Sequence, residues 1–163
     1  MIPKQIRAFV EHWGTMGSIW GINTSVARVH ALLLASEGSF TLDEIADALG
    51  IAKSNASTCL KELRGWGVVR KVASPGERKE RFACEPDVWA MLFNIARERK
   101  RREFEPALRS VQATLAKTDG AAGVASDRLR QLEAVFSALD QVAERALQNE
   151  GTARAFLAFL GGR

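Results

Sequence analysis

Residues 41–84 read TLDEIADALGIAKSNASTCLKELRGWGVVRKVASPGERKERFAC, and the rest of the chain is best read outward from them. Thr41 followed by Glu44 is a capping box. The Thr41 hydroxyl accepts from the Glu44 amide, and the Glu44 carboxylate reaches back to the Thr41 amide. Leu42, Ile45, Ala46 and Leu49 then fall on one face of a short helix. Gly50 ends it, at a position where left-handed backbone costs little. A second helix buries Ala56, Cys59, Leu60 and Leu63. At 100° per residue its opposite face carries Ser54, Thr58 and Lys61, flanked by Asn55, Ser57 and Arg64. These side chains are either small enough to approach base edges or able to donate hydrogen bonds to them. Ala52 stands where a capping side chain is expected, and alanine caps poorly, by about 1 kcal/mol. The amides it leaves free suit a DNA phosphate, with Lys53 and Ser54 assisting.

Gly65 and Gly67 end the second helix around Trp66. VVRKVA (68–73) and ERFAC (80–84) read as strands, and Pro75-Gly76 favours a turn between them. Arg78, near the tip, suits a minor-groove or backbone contact, and Lys79 stands beside it. Arg70, Lys71 and Arg81 are expected to touch phosphates or solvent. The fold class that follows is mainly α: a winged helix-turn-helix with a two-stranded β wing, flanked by N- and C-terminal dimerisation helices.

Upstream, residues 3–20 read as a helix with Pro3 tolerated at its start. Phe9, Trp13, Met16 and Trp20 make one stripe, and Gly14, Gly17 and Gly21 another. The glycines fit close helix approach, a kink or a loop opening. The aromatic stripe fits core or subunit packing or part of a cage for a cation. Asn23, Thr24 or Ser25 can cap a second helix reaching about Ser36, with Val26, Val29, Leu32 and Leu33 inward. His30 and His12 have no carboxylate or thiol neighbours in sequence, so neither points to a metal site or a catalytic base.

Downstream, Pro86-Asp87 opens a long segment with Trp89, Leu92, Phe93 and Ala96 as its inner face. The basic run 97–102 either extends a DNA-facing surface or is a solvated helix laced with ion pairs. Pro106 should kink the segment or begin a new helix. Ser126 is the expected cap of the last long helix, whose Leu129, Leu132, Phe136, Leu139, Ala143 and Ala146 resemble a bundle seam. Organisation is therefore expected as 1–22 for N-terminal packing and dimerisation, 23–85 for DNA binding, and 86–163 for C-terminal dimerisation.

The chain has 163 residues and a net charge of +4, unevenly spread. Residues 51–81 hold eight Lys or Arg against three acids, and residues 97–102 five against one. Positive charge focused on a helix and its wing is the footprint of phosphate binding. No apolar run approaches the ~20 residues of a membrane span, and no signal-peptide pattern opens the chain; the expected location is the cytoplasm, with no membrane partner. The spacing of Cys59 and Cys84 suggests neither a disulfide framework nor a zinc site. No phosphate-cradling loop, metal cluster or histidine-paired nucleophile points to an enzyme or a cofactor.

FVEHWG (9–14), ALLLASEG (31–38), 41–72 and PGERKERF (75–82) together resemble the MarR-type winged-helix transcriptional regulators, nearest the glycine-betaine synthesis regulator (GbsR-like) branch. The resemblance implies a homodimer formed by N- and C-terminal helices, with two wings straddling double-stranded DNA. It also implies that Lys53, Ser54, Asn55, Ser57, Thr58 and Lys61 enter the major groove. Some members bind choline in an aromatic cage that includes tyrosine, and this chain has no Tyr. Others sense oxidants through a cysteine; Cys59 lies on the buried face here and Cys84 ends a strand, neither with an evident activating partner. The expected function is sequence-specific DNA binding by a homodimeric repressor on a palindromic operator. An effector that changes the angle between the dimer helices would release it. The alternative is a winged-helix protein-interaction module that does not read DNA.

Overall fold

The computed structural model describes residues 3–73, 76, 79–117 and 123–160, with the side chains of 156–160 excepted. The chain divides into two compact units, Met1–Asn94 and Ile95–Arg163. The first contains α1 (Lys4–Ile19), α2 (Thr24–Leu34), β1 (Phe40–Thr41), α3 (Leu42–Leu49), α4 (Lys53–Gly65), β2 (Val69–Val72) and β3 (Arg81–Cys84). Helix α5 (Val88–Arg99) runs across the division.

Helix α2 is the centre of the first unit. Asn23 caps it by accepting from the amides of Ser25 at 2.8 Å and Val26 at 3.4 Å. Val26, Ala27 and every residue from Val29 to Leu33 are buried, so the helix is covered nearly all round. Its closest neighbour is α1, and two glycines make the approach possible. A Cβ on Gly17 would stand 2.5 Å from Ala27 Cβ, and one on Gly14 would stand 2.6 Å from Arg28 Cγ. The face of α1 that meets α2 is therefore Val10, Gly14 and Gly17, and the aromatic stripe is only partly inward. Phe9 and Trp13 lie 5.3 Å apart between ring centroids, while Trp20 is exposed. Gly21 turns the chain with φ 76°. Arg28 ties three helices, donating to Glu11 Oε1 at 2.6 Å and to the Leu49 carbonyl at the end of α3 at 3.3 Å.

The sheet has three strands in the order β1-β3-β2, all antiparallel. The two-stranded wing gains β1, with Phe40 opposite Phe82 and Thr41 opposite Arg81. Asp87 begins α5 by accepting from the Trp89 amide at 2.9 Å. The buried residues of α5 are Met91 and Phe93; Leu92 and Ala96 are exposed, contrary to the expected inner face. One helical turn offers two candidate faces here, and packing in the first unit takes the one bearing Met91.

The second unit contains a π-helical turn (Lys100–Phe104), α6 (Glu105–Lys117), α7 (Val124–Gln148) and α8 (Glu150–Leu160). Pro106 is the second residue of α6, at the start of a helix as the sequence suggests. Its ring would press on the carbonyl four residues earlier in a regular helix, and the wider turn just before it makes room, with the Glu105 amide donating to the Lys100 carbonyl. Helix α7 starts after Gly123, so Ser126 is a buried residue inside it rather than its cap, and its hydroxyl has no hydrogen-bond partner. No helix among the described residues is long and apolar enough to cross a membrane.

Two stability tests follow. Replacing a helix glycine with alanine ordinarily stabilises by about 1 kcal/mol. Gly17→Ala should instead destabilise by roughly 1–3 kcal/mol in urea denaturation, because the new methyl overfills the α1–α2 contact. His30 is buried with its ring 6.3 Å from Trp13, and Nε2 has no hydrogen-bond partner. Burial lowers its pKa from 6.5 to about 4. The unfolded chain therefore binds a proton between pH 6.5 and 4 that the folded chain refuses. The stability contributed by neutral His30 is complete above pH 6.5 and is lost as pH falls toward 4, by up to about 3 kcal/mol. His30→Leu should flatten the dependence of unfolding free energy on pH in that window.

Candidate nucleic-acid interface

Helices α3 and α4 present the site because one face of each is committed to the core. In α3 the capping box forms as the sequence requires. The Thr41 amide donates to Glu44 Oε2 at 2.7 Å and the Glu44 amide donates to Thr41 Oγ1 at 3.2 Å. The Thr41 amide is the first cause of a Glu44 carboxyl held below its ordinary value; burial opposes it, and Arg81 adds to it. Gly50 ends α3 in the left-handed region with φ 64°. In α4, Ala56, Cys59, Leu60 and Leu63 are buried. Ala52 precedes α4 with no side-chain cap.

Lys53, Ser54, Asn55, Ser57, Thr58, Lys61 and Arg64 are all exposed. They are not equally available to a ligand. Asn55 Nδ2 donates to Ser25 Oγ at 3.3 Å and Asn55 Oδ1 accepts from Cys59 Sγ at 3.5 Å, bracing α4 against the start of α2. The Thr58 hydroxyl donates back to the Ser54 carbonyl at 3.0 Å, leaving its methyl and oxygen lone pairs outward. Lys61 and Arg64 are free of ion pairs among the described residues. Ser57, Lys61 and Arg64 share a cleft of about 570 Å³ with Asp43, Lys79 and Phe82, which brings α4 and the wing to one opening. Arg78 lies outside the described residues.

Two acids at the start of α3 fix the base of the wing. Asp43 accepts from Lys53 through Oδ1 at 2.6 Å and from Lys79 through Oδ2 at 2.7 Å. The hydrogen bond from Lys53, then that from Lys79, holds the Asp43 carboxyl at about 2. Arg81 does not face phosphate or solvent as the sequence suggested. Its side chain turns inward, donating to Ser39 Oγ at 3.0 Å, to the Ser39 carbonyl at 2.5 Å and to Glu44 Oε2 at 3.3 Å. Register explains the difference: Arg81 sits opposite Thr41 across β1, a strand too short for alternation to reveal. Asp43 was missed for a related reason, since an acid in a first helical turn already suits the helix dipole and its two partners are distant in sequence.

The other candidate chemistry finds no support in the geometry. Burial raises the Cys59 and Cys84 thiols, which disfavours the thiolate. The described residues contain no group of three or more His, Cys, Asp or Glu able to hold a metal. The basic run is paired within the second unit. Arg101 and Arg102 bond Glu98, Arg99 bonds Glu103 and Arg97 bonds Glu150. Lys100 lies 3.0–3.2 Å from Glu105, Asp140 and Glu144. Burial alone would lower the Lys100 ammonium, but these three carboxylates outweigh it and hold it above its ordinary value.

A helix exposing small polar and cationic residues, with a tight turn before it and a paired ribbon after it, matches a described family. The MarR family model covers residues 20–80. Residues 20–80 are thus similar to the MarR family. Over 102 residues the chain is 30% identical to the HTH-type transcriptional repressor GbsR of Bacillus subtilis (strain 168), an alignment spanning 61% of this chain and 56% of that protein. It is 26% identical over 87 residues to the putative HTH-type transcriptional regulator YvaV of the same organism, spanning 53% and 49%. The chain thus spans about half the length of the curated relatives it matches. A crystal structure described as a transcriptional regulator shares the fold, with a TM-score of 0.71 at 21% identity over 91% of this chain and 99% of that one. The matched segment contains α2 to β2, including the exposed polar face of α4 and all of the cleft's lining except Phe82.

Proposed function

We propose that this chain is a sequence-specific DNA-binding transcriptional regulator, a homodimeric repressor that reads a palindromic operator. The observation that carries the reading is the outward face of α4. Ser54, Ser57, Thr58, Lys61 and Arg64 lie exposed, with Ser57, Lys61 and Arg64 sharing a cleft with Lys79 of the wing, opposite a face wholly committed to the core. Side chains of this kind on a helix suit base edges and phosphates in the major groove. Lys53, Asn55 and the tip residue Arg78 complete the proposed contact set, Arg78 against the minor groove or backbone.

Dimerisation is supported by the second unit, where Ser126 is the one buried residue among those described. The seam expected on α7 splits in two. Phe136 packs against Phe104 with ring centroids 5.3 Å apart. Leu132, Val135, Leu139 and Val142 point outward at 40%, 54%, 51% and 65% exposure. These four alternate three and four apart, the spacing of a helix seam that a partner helix covers. A second copy covering it would hold two α4 helices for half-sites about one DNA turn, ~34 Å, apart.

Selection from random duplex DNA at two salt concentrations tests this reading. The expected product is a palindrome with half-sites about one turn apart. Lys61→Ala should bind that product more weakly, with its salt slope reduced by about 1 and its melting temperature unchanged. No enriched sequence, together with a stable complex with another protein, would favour the interaction module instead.

A further inference from the structure

Asp43 lines the cleft shared by α4 and the wing, and its geometry is specific. It stands in the first turn of α3, where the helix dipole favours a negative charge. One carboxylate oxygen holds the ammonium of Lys53, the first residue of α4, at 2.6 Å. The other holds the ammonium of Lys79, from the wing, at 2.7 Å. The lysine side chains are 65% and 68% exposed and the Asp43 side chain 32%, so the acid is the sheltered partner in both pairs. Two non-bridging oxygens of a phosphodiester can take two ammoniums in the same way.

We propose that Asp43 acts as an internal stand-in for a DNA phosphate, occupying Lys53 and Lys79 in the free protein and limiting how much of their charge duplex DNA can use. The inference rests on the DNA-binding reading and deepens it by assigning a residue that sets the strength of the phosphate contacts. Exposed ion pairs are weak and exchange readily, so an arriving phosphate competes with Asp43 for each ammonium and also meets its negative charge. The hydrogen bonds that hold the Asp43 carboxyl at about 2 keep it ionised throughout the range in which a protein of this kind works. Binding to any duplex is therefore weaker than the local count of cations suggests. Contacts made by Ser57, Lys61 and Arg64, none of which is ion-paired with Asp43 among the described residues, carry a larger share.

The test is fluorescence anisotropy with a mixed-sequence 30-base-pair duplex across a series of salt concentrations, using the full chain. Asp43→Asn keeps the shape and removes the charge. It should bind on the order of tenfold tighter than wild type at low salt, with a salt slope steeper by about 1–2, since each regained phosphate contact adds roughly 0.9. Glu37→Gln, an equal change in net charge at an exposed site away from the cleft, should show neither change at that size. Adding Lys53→Ala and Lys79→Ala to Asp43→Asn should abolish the gain. If Asp43→Asn matches Glu37→Gln, or binds more weakly with a shallower slope, the proposal is overturned and Asp43 merely orients the two lysines. Wild-type protein lacking any salt-dependent duplex binding would overturn the DNA-binding reading itself, an outcome visible before any variant is made.

Discussion

The burial of one face of α4 is the constraint on which the rest depends. Ala56, Cys59, Leu60 and Leu63 are each at most 2% exposed, and their 3.6-residue period leaves Ser54, Ser57, Thr58 and Lys61 outward. Burying four such side chains contributes several kcal/mol, far more than any exposed polar residue on the other face can contribute to folding. That face is consequently free to vary for recognition without loss of the core. Helix α2 supplies the surface against which α4 packs, and the glycines of α1 let α2 be covered from its other side. The close α1–α2 approach thus supports the presentation of α4 at one remove.

A second requirement is that the wing keep a fixed relation to α4. The sheet does this by placing β3 in the middle, paired to β2 on one side and to β1 on the other. Thr41 serves both structures, ending β1 and capping α3. Arg81 reinforces the joint by binding Ser39 and Glu44, and Asp43 links the first residue of α4 to the wing through its two lysines. Charge that looks like surplus in a count of residues 51–81 is therefore divided. Arg81 is structural, Lys53 and Lys79 are held by an acid, and Lys61 and Arg64 remain for a ligand. Residues 97–102 are likewise engaged by carboxylates of their own unit.

Much of this was legible in the sequence because it is local. The capping box at Thr41, the left-handed Gly50, the apolar face of α4 and its missing cap are all set by residues within one or two helical turns. What escaped the sequence is set by distant pairs. The strand β1 has two residues and no alternation, and its existence depends on Phe82 and Arg81 some forty positions away. Gly14 and Gly17 allow three readings until Ala27 and Arg28 are seen against them. On α7 the apolar residues cover too wide an arc for spacing alone to choose between the side that meets Phe104 and the side left outward. Leu92 on α5 was misread in the same way, since adjacent faces of a helix rich in apolar residues look alike before packing.

The second unit, with Ser126 its one buried residue among those described, has the opposite character from the first. Its basic run is held by ion pairs and an apolar seam on α7 lies exposed, whereas the first unit carries its own core. On the proposed reading, DNA meets the outward face of α4 while a second copy meets α7. The most direct measurement is amide chemical-shift mapping of the labelled full chain as duplex DNA is added. Shifts concentrated on Ser54, Ser57, Thr58, Lys61 and Arg64 and around Lys79, with α7 unmoved, are the predicted result. Shifts confined to α6 and α7, with residues 53–64 unchanged at saturation, would contradict it.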